Sequence, residues 1–402
     1  MASCVSSPWG FGIAVFLTYT LLILPIFVRA HFDPSVFVVA GDKFADASAL
    51  AVPIRIQPHS TGYDGQFYYR MALAPFRLSR TAFGITFDNP AYRLQRILYP
   101  VLAWLLAFGQ KPFIAAAMVL VNLLGMATLA ATVVRLTRRL ELPRLTPLAI
   151  ALWPGFIITA THDTTEILSA ALVLLTLEAF LAGNLPTLLL AGMAATLTRE
   201  TGIVVLGGLL CLALWNLARP TFGFRAWPRL AVAACAFLPI LVWQAVLHRA
   251  FSQSAWASGT SANAGWPFQG ATHAIWETLT GTRFYVHNHI WQAAMRGFVL
   301  SSAPLLLSLC ALMAWRLPAA ALHDVAHRAV AAAWLPLALL MMLLTTPWID
   351  PVSYFRAFTE CFVIGTLLLA WRPMRPWLSQ AFTGAGVLTF AVAWGLCFMG
   401  LR

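Results

Sequence analysis

A chain of 402 residues that is 60% hydrophobic and only 10% charged lies far from a soluble domain, in which about 25% of residues are charged. The formal charge of +12 is nearly all arginine, Lys43 and Lys111 being the only lysines, and the basic residues sit at the ends of apolar runs. That placement argues for anchoring at the cytoplasmic side of a membrane and against a nucleic-acid partner. The six cysteines (Cys4, Cys211, Cys235, Cys310, Cys361 and Cys397) are scattered with no C-x-x-C pair, which speaks against a disulfide framework or a zinc site.

The first apolar run, Phe11 to Val28, lacks the basic residues that open a signal peptide and reads as a retained first helix. A long polar loop follows, residues 30–96. Within it, Gly62-Tyr63-Asp64-Gly65-Gln66-Phe67-Tyr68-Tyr69-Arg70 places a carboxylate just before an amphipathic run. That run predicts a helix lying in the membrane interface, with Asp64 at headgroup depth. The alternative is an Asx turn in which Asp64 caps the helix. Next comes Asn89-Pro90-Ala91-Tyr92-Arg93-Leu94-Gln95-Arg96, where Arg93 and Arg96 fall one turn apart on one helical face. Two guanidiniums suit a phosphate; they also suit snorkelling to lipid headgroups. Residues Ile97 to Phe108 are too short to span and predict a re-entrant or interfacial helix.

Further helices are predicted over 113–134, 146–160, 165–182, 186–198, 201–217, 230–249, 292–315, 328–346, 357–371 and 379–400. With the first, these make about eleven spans, so the expected fold is an all-α polytopic transmembrane bundle forming one integral membrane domain over 1–402. A second long loop covers 250–291. Arginine-rich loops at 135–144, 219–229, 316–328 and 372–375 fall on one side if the N-terminus is cytoplasmic. Most acids then face the other side.

Several clusters carry chemistry. Trp153-Pro154-Gly155 leads to Thr161-His162-Asp163-Thr164-Thr165-Glu166, where Asp163 and Glu166 read either as an N-cap with its capping-box partner or as site groups. Arg199-Glu200 interrupts the apolar stretch 186–217, which therefore reads as two short helices, with the pair either bonded locally or serving a site. Ser353-Tyr354-Phe355-Arg356, after Asp350-Pro351, supplies another arginine for a phosphate. His287-Asn288-His289 offers two ring nitrogens but no third metal ligand.

Together these stretches resemble the GT-C-type membrane glycosyltransferases, which use polyprenyl-phosphate sugars. The likeness rests on Tyr63–Tyr68 and on the Arg-x-x-Arg-Ile-x-Tyr-Pro run at Arg93–Pro100. More distantly, Trp153–Glu166 and Leu197–Gly202 are similar to stretches of the GPI-anchor mannosyltransferases. The resemblance covers about the first 220 residues well. It implies an enzyme of a bacterial inner membrane with its active site facing the periplasm. The donor would be a polyprenyl-phosphate-linked sugar and the acceptor a cell-envelope glycan, lipid or protein. It implies Asp64 as general base, with Asp42 as the second choice. Tyr63, Gln66, Tyr69, Arg93, Arg96, Tyr99, His162, Asp163, Glu166, Arg199, Glu200, Tyr354 and Arg356 would contact substrate. Some relatives pair two acids in the first loop around Mg or Mn; Asp64 has no acidic neighbour within two residues, which weakens the case for a metal here. Two other classes fit the same hydropathy: a lipid-linked glycan flippase or transporter, and a surface-glycan polymerase or ligase.

Overall fold

The computed structural model describes residues 7–218, 226–255, 257, 263–282, 289–322, 324–349, 351–371 and 376–400. Helix α1 (Pro8–Arg29) opens on Ser7, whose side chain accepts from the Gly10 N–H, with Pro8 at the first helical position, where a missing N–H costs nothing. Its 22 residues rise about 33 Å, enough to cross a bilayer.

The chain then builds a folded first loop. Strands β1 (Ala40–Gly41) and β2 (Ile56–Gln57) pair in parallel, with Ala40 opposite Ile56. Helix α2 (Gly65–Leu73) follows, then the hairpin β3 (Thr81–Ala82) and β4 (Ile85–Thr86). Phe83 and Gly84 at its tip both have positive φ, as a two-residue turn matched to strand twist requires. Helix α2 is packed inside the protein: every one of its residues is buried. Phe67, Tyr68, Tyr69 and Met71 share a core with Phe87, Leu94, Tyr99, Ile114 and Met118, so the helix has no face left open, unlike a free amphipathic helix. Short helices α3 (Pro90–Leu94) and α4 (Leu98–Leu106) close the segment. Because α3 ends at Leu94, Arg93 and Arg96 do not share one helical face; Arg96 lies in the link between the two helices.

The bundle proper starts with α5 (Ile114–Arg139), packed along α1 and α8 (Glu166–Ala182). Between them the predicted helix 146–160 is two pieces, α6 (Thr146–Ala151) and α7 (Pro154–Thr161), because Pro154 cannot continue a helix but can start one. Helices α9 (Leu185–Thr198) and α10 (Glu200–Ala218) part at Arg199, which is fully extended, as the sequence predicts. Helices α11 (Ala226–Cys235) and α12 (Leu238–Phe251) flank Pro239. Then come α13 (Gln269–Thr280), α14 (His289–Leu322), α15 (Val325–Leu343), α16 (Pro351–Ala357), α17 (Thr359–Trp371) and α18 (Pro376–Gly400). His287 and Asn288, of the histidine pair considered for a metal, lie outside the described residues.

Among the described residues, six helical stretches are long and apolar enough to cross a membrane: Pro8–Arg29, Lys111–Arg139, Glu200–Ala218, Ala226–Phe251, Met295–Ala320 and Val325–Leu343. Leu185–Thr198, Thr359–Trp371 and Gly384–Met399 are apolar but shorter. This is the build of a polytopic helical membrane protein. The central core is formed where α8, buried on nearly all sides, meets α5, α7, α9, α10 and α17.

Candidate functional site

Helix ends converge at one edge of this core. The link into α2 carries Asp64, α3 and its exit carry Arg93 and Arg96, α8 begins at Glu166, α9 gives way to α10 at Arg199-Glu200, α16 carries Arg356, and α17 opens with Glu360. Charges placed at helix ends reach one another without any helix carrying them mid-span.

Their pairing is specific. Asp64 stands at the N-cap of α2, but its side chain makes no capping bond. It accepts instead from Arg93 Nη1 at 2.7 Å and from Arg356 Nη2 at 2.8 Å. Arg93 also binds Asp88 at 2.7 Å and lies over the Phe67 ring. Arg356 reaches inward to Glu166 Oε1 at 2.7 Å and packs over Tyr63. Burial pushes the Asp64 carboxyl up, but Arg93, Arg356 and Arg96 outweigh it and hold the group well below the usual carboxylate range.

Arg199 and Glu200 do not bond each other, which sets aside the local ion pair. Arg199 donates to Glu360 Oε2 at 2.8 Å and to the Ala357 carbonyl, with Glu166 3.7 Å away. Glu200 faces the first loop, pairing with Arg96 Nε at 3.1 Å and with the Gln95 amide. Arg96 donates further to the Tyr68 and Tyr92 hydroxyls. Neither Arg93 nor Arg96 is a snorkelling side chain, since both are buried among partners rather than extended outward.

The network walls a cavity of about 560 Å³. Its lining is of two kinds: charged and polar groups, among them Asp64, Arg93, Arg96, Arg199, Glu200, Arg356 and Glu360, and apolar side chains, with Val204 of α10 and Leu337, Leu340, Met341 and Leu344 around α15.

Other residues singled out in the sequence lie elsewhere. Asp42 is on the surface, its carboxylate accepting the His59 and Ser60 N–H groups, which hold its pKa down. Gln66 locks the loop by bonding the Gly41 N–H and the Thr61 carbonyl. Tyr69 is buried, and burial pushes its phenol up to about 12. Tyr99 donates to the Met118 carbonyl and accepts from Asn122. Tyr354 is buried against Ser302. His162 lies under Tyr63 with Nδ1 2.9 Å from the Ile158 carbonyl, and burial brings it down to about 4, so the ring is neutral near pH 7.

The capping box is corrected too. The N-cap of α8 is Thr165, not Asp163, and Glu166 turns to the arginines instead of to the backbone. Asp163 is fully buried at positive φ, and neither carboxylate oxygen has a hydrogen-bond partner. Burial raises its pKa well above the ordinary value and so favours the protonated form.

Sequence reasoning missed Glu360, Thr201, Tyr92 and Gln95. Glu360 receives Arg199 and, at 2.9 Å, the Thr201 hydroxyl. The usable signal was a carboxylate at the head of the apolar run 361–371, the same signature that marks Glu166 and Glu200.

The arrangement does not suit a divalent cation. Both Asp64 oxygens are taken by arginines, and Glu166, Glu200 and Glu360 are likewise bonded to guanidiniums, which leaves no set of free carboxylate oxygens for a hard cation. Among the described residues, no group of three or more His, Cys, Asp or Glu side chains is placed to hold a metal. What the site offers is a set of rigid cationic donors beside a carboxylate and an apolar channel.

A scan of the chain against protein-family models finds no match, and a search of curated proteins finds no relative.

Proposed function

We propose that the chain is a membrane-embedded glycosyltransferase of the GT-C kind, working at the periplasmic face of a bacterial inner membrane. It moves a sugar from a polyprenyl-phosphate donor to a cell-envelope acceptor: a glycan, a lipid or a protein. The observation that carries this reading is one cavity with a mixed lining. Its arginines suit a phosphate, and its apolar side chains from α10 and α15 suit a prenyl chain.

The chemistry follows from the residues present. An acceptor hydroxyl attacks the anomeric carbon, its proton passes to Asp64, and the bond from that carbon to the phosphate oxygen breaks. The electron pair leaves with polyprenyl phosphate, whose growing charge is met by the guanidiniums already fixed around the cavity. Asp64 is preferred to Asp42 because Asp64 lines the cavity, whereas Asp42 is exposed and caps a surface loop.

The test is sugar transfer by the purified chain in nanodiscs with a panel of polyprenyl-phosphate sugars. One donor should turn over, and Asp64→Asn should lower its rate by about 10²-fold or more. Undiminished turnover in Asp64→Asn would remove Asp64 as the base. Alternating-access transport of the donor without hydrolysis or transfer would replace the enzyme by a flippase.

A further inference from the structure

The network around the cavity sets four arginines, Arg93, Arg96, Arg199 and Arg356, against five carboxylates, Asp64, Asp88, Glu166, Glu200 and Glu360. Every guanidinium is already engaged. An incoming anion therefore finds no surplus positive charge and must take the place of a carboxylate.

Exposure and bonding decide which one yields. Glu166 and Glu360 have no exposed side-chain surface and are tied into the protein by Thr159 and Thr201 as well as by arginine. Asp88 binds Arg93 but does not line the cavity. Glu200 lines it and is the more exposed, at 27%, but both its oxygens turn to one arginine, Arg96, so it bridges no pair of guanidiniums. Asp64 lines it, retains 16% side-chain exposure, and uses each oxygen for a different arginine. Two oxygens on one atom, each taking an N–H from a separate guanidinium, is the bite that a phosphate offers with its two non-bridging oxygens.

Removing Asp64 would leave the clamp standing. Arg93 keeps Asp88, and Arg356 keeps Glu166, so both side chains stay aimed. Arg356 and Arg199 each also have a buried Nε–H with no hydrogen-bond partner. Arg96 and Arg199 do not touch Asp64: Arg96 is occupied by Glu200 and two phenols, and Arg199 by Glu360 and a carbonyl.

We propose that Asp64 is a stand-in for the donor's phosphate: the phosphate seats on Arg93 and Arg356 by displacing the carboxylate, and the displaced Asp64 becomes the proton acceptor. This rests on the glycosyltransferase reading. The arginines that suppress the basicity of Asp64 release it only when a phosphate replaces it, so the base is armed by the donor. Arg96 and Arg199 are positioning residues that brace the two sides of the cavity.

The experiment titrates the full chain in nanodiscs with farnesyl phosphate and with farnesol, comparing wild type, Asp64→Asn and Asp64→Ser. Loss of the competing carboxylate should tighten farnesyl phosphate on the order of tenfold or more, leaving farnesol unchanged. The farnesol affinity reports the fold of each variant, and two variants guard against one that misfolds. Unchanged or weaker phosphate binding in both variants, with the wild type still preferring phosphate to alcohol, overturns the exchange and leaves the transferase reading intact. No preference for phosphate over farnesol in any protein overturns both.

Discussion

Arg199 and Glu200 are neighbours in the chain yet hold different elements: Arg199 grips Glu360 at the start of α17, and Glu200 grips Arg96 beside the first loop. The extended backbone at Arg199 makes this divergence possible, because consecutive side chains on extended backbone point to opposite sides. The break between α9 and α10 is thus a junction joining the loop to the C-terminal helices.

If that junction is sound, removing one partner of its buried half is costly. Glu360→Gln leaves Arg199 with the longer contact to Glu166 as its remaining carboxylate, beside the Ala357 carbonyl, and should destabilise the protein by about 3–5 kcal/mol. Thermal unfolding in detergent measures it. A Glu360→Gln protein as stable as wild type would mean the pair contributes nothing.

Arg356→Lys keeps the charge but loses the fork. A single ammonium cannot reproduce the two separate nitrogens that reach Asp64 and Glu166. Sugar transfer should fall by about 10²-fold while the protein stays folded. Transfer within twofold of wild type, a margin of about 0.4 kcal/mol, would show that charge alone suffices.

Asp163 gives a stability dependence on pH with a definite sign. Its folded pKa is raised, so its contribution is full below the unfolded value, about 3.9, and is lost as pH rises toward and through the folded one. Asp163→Asn keeps the shape and removes the titration. The melting-temperature difference, variant minus wild type, should therefore grow between pH 5 and pH 8. A difference that is flat with pH would show that Asp163 is not a buried neutral acid.

Gly155 sits where α7 meets the segment carrying Arg356. A Cβ there would lie 2.3 Å from the Phe355 carbonyl oxygen and 2.5 Å from the Thr359 hydroxyl. Backbone cannot swing aside as a long side chain can, so Gly155→Ala should push α16 away from α7. We expect a cost of about 1–3 kcal/mol, with transfer falling more than stability because Arg356 is the next residue. Melting temperature and transfer rate measured on one preparation separate the two effects.

Much of the helical layout was legible because apolar runs and proline positions are local signals. The starts of α1, α5 and α8 fall within a few residues of their predicted positions, and the α9–α10 break falls at Arg199 as two charges inside an apolar stretch demand. The amphipathic composition of α2 gave no sign that both its faces would be buried. Only the tertiary wrapping by Phe87, Leu94 and Tyr99 shows that its polar face is covered as well.

The site was legible as a set of unusual charges, not as a set of bonds. Asp64, Arg93, Arg96, Glu166, Arg199, Glu200 and Arg356 were all marked, since charge beside apolar sequence needs a reason. Local rules offered caps for Asp64 and Glu166 and a local pair for Arg199 and Glu200 as the alternative readings. Those alternatives fail because the true partners are 29 to 292 positions away, beyond the reach of any local pattern. Asp42 and Gln66 resembled site groups for the opposite reason: their backbone-locking role is local and leaves the same polar signature.

The Glu166–Arg356 bond spans 190 positions. During synthesis, therefore, Glu166 leaves the ribosome well before its principal partner exists. In the interval the nearby cations already made are Arg96 and Arg199, the latter 3.7 Å away in the finished protein. The bond to Arg356 can therefore complete the pairing of Glu166 only once the C-terminal helices are in place. A chain truncated before α16 would leave Glu166 without that partner, giving membrane quality control a charge to recognise.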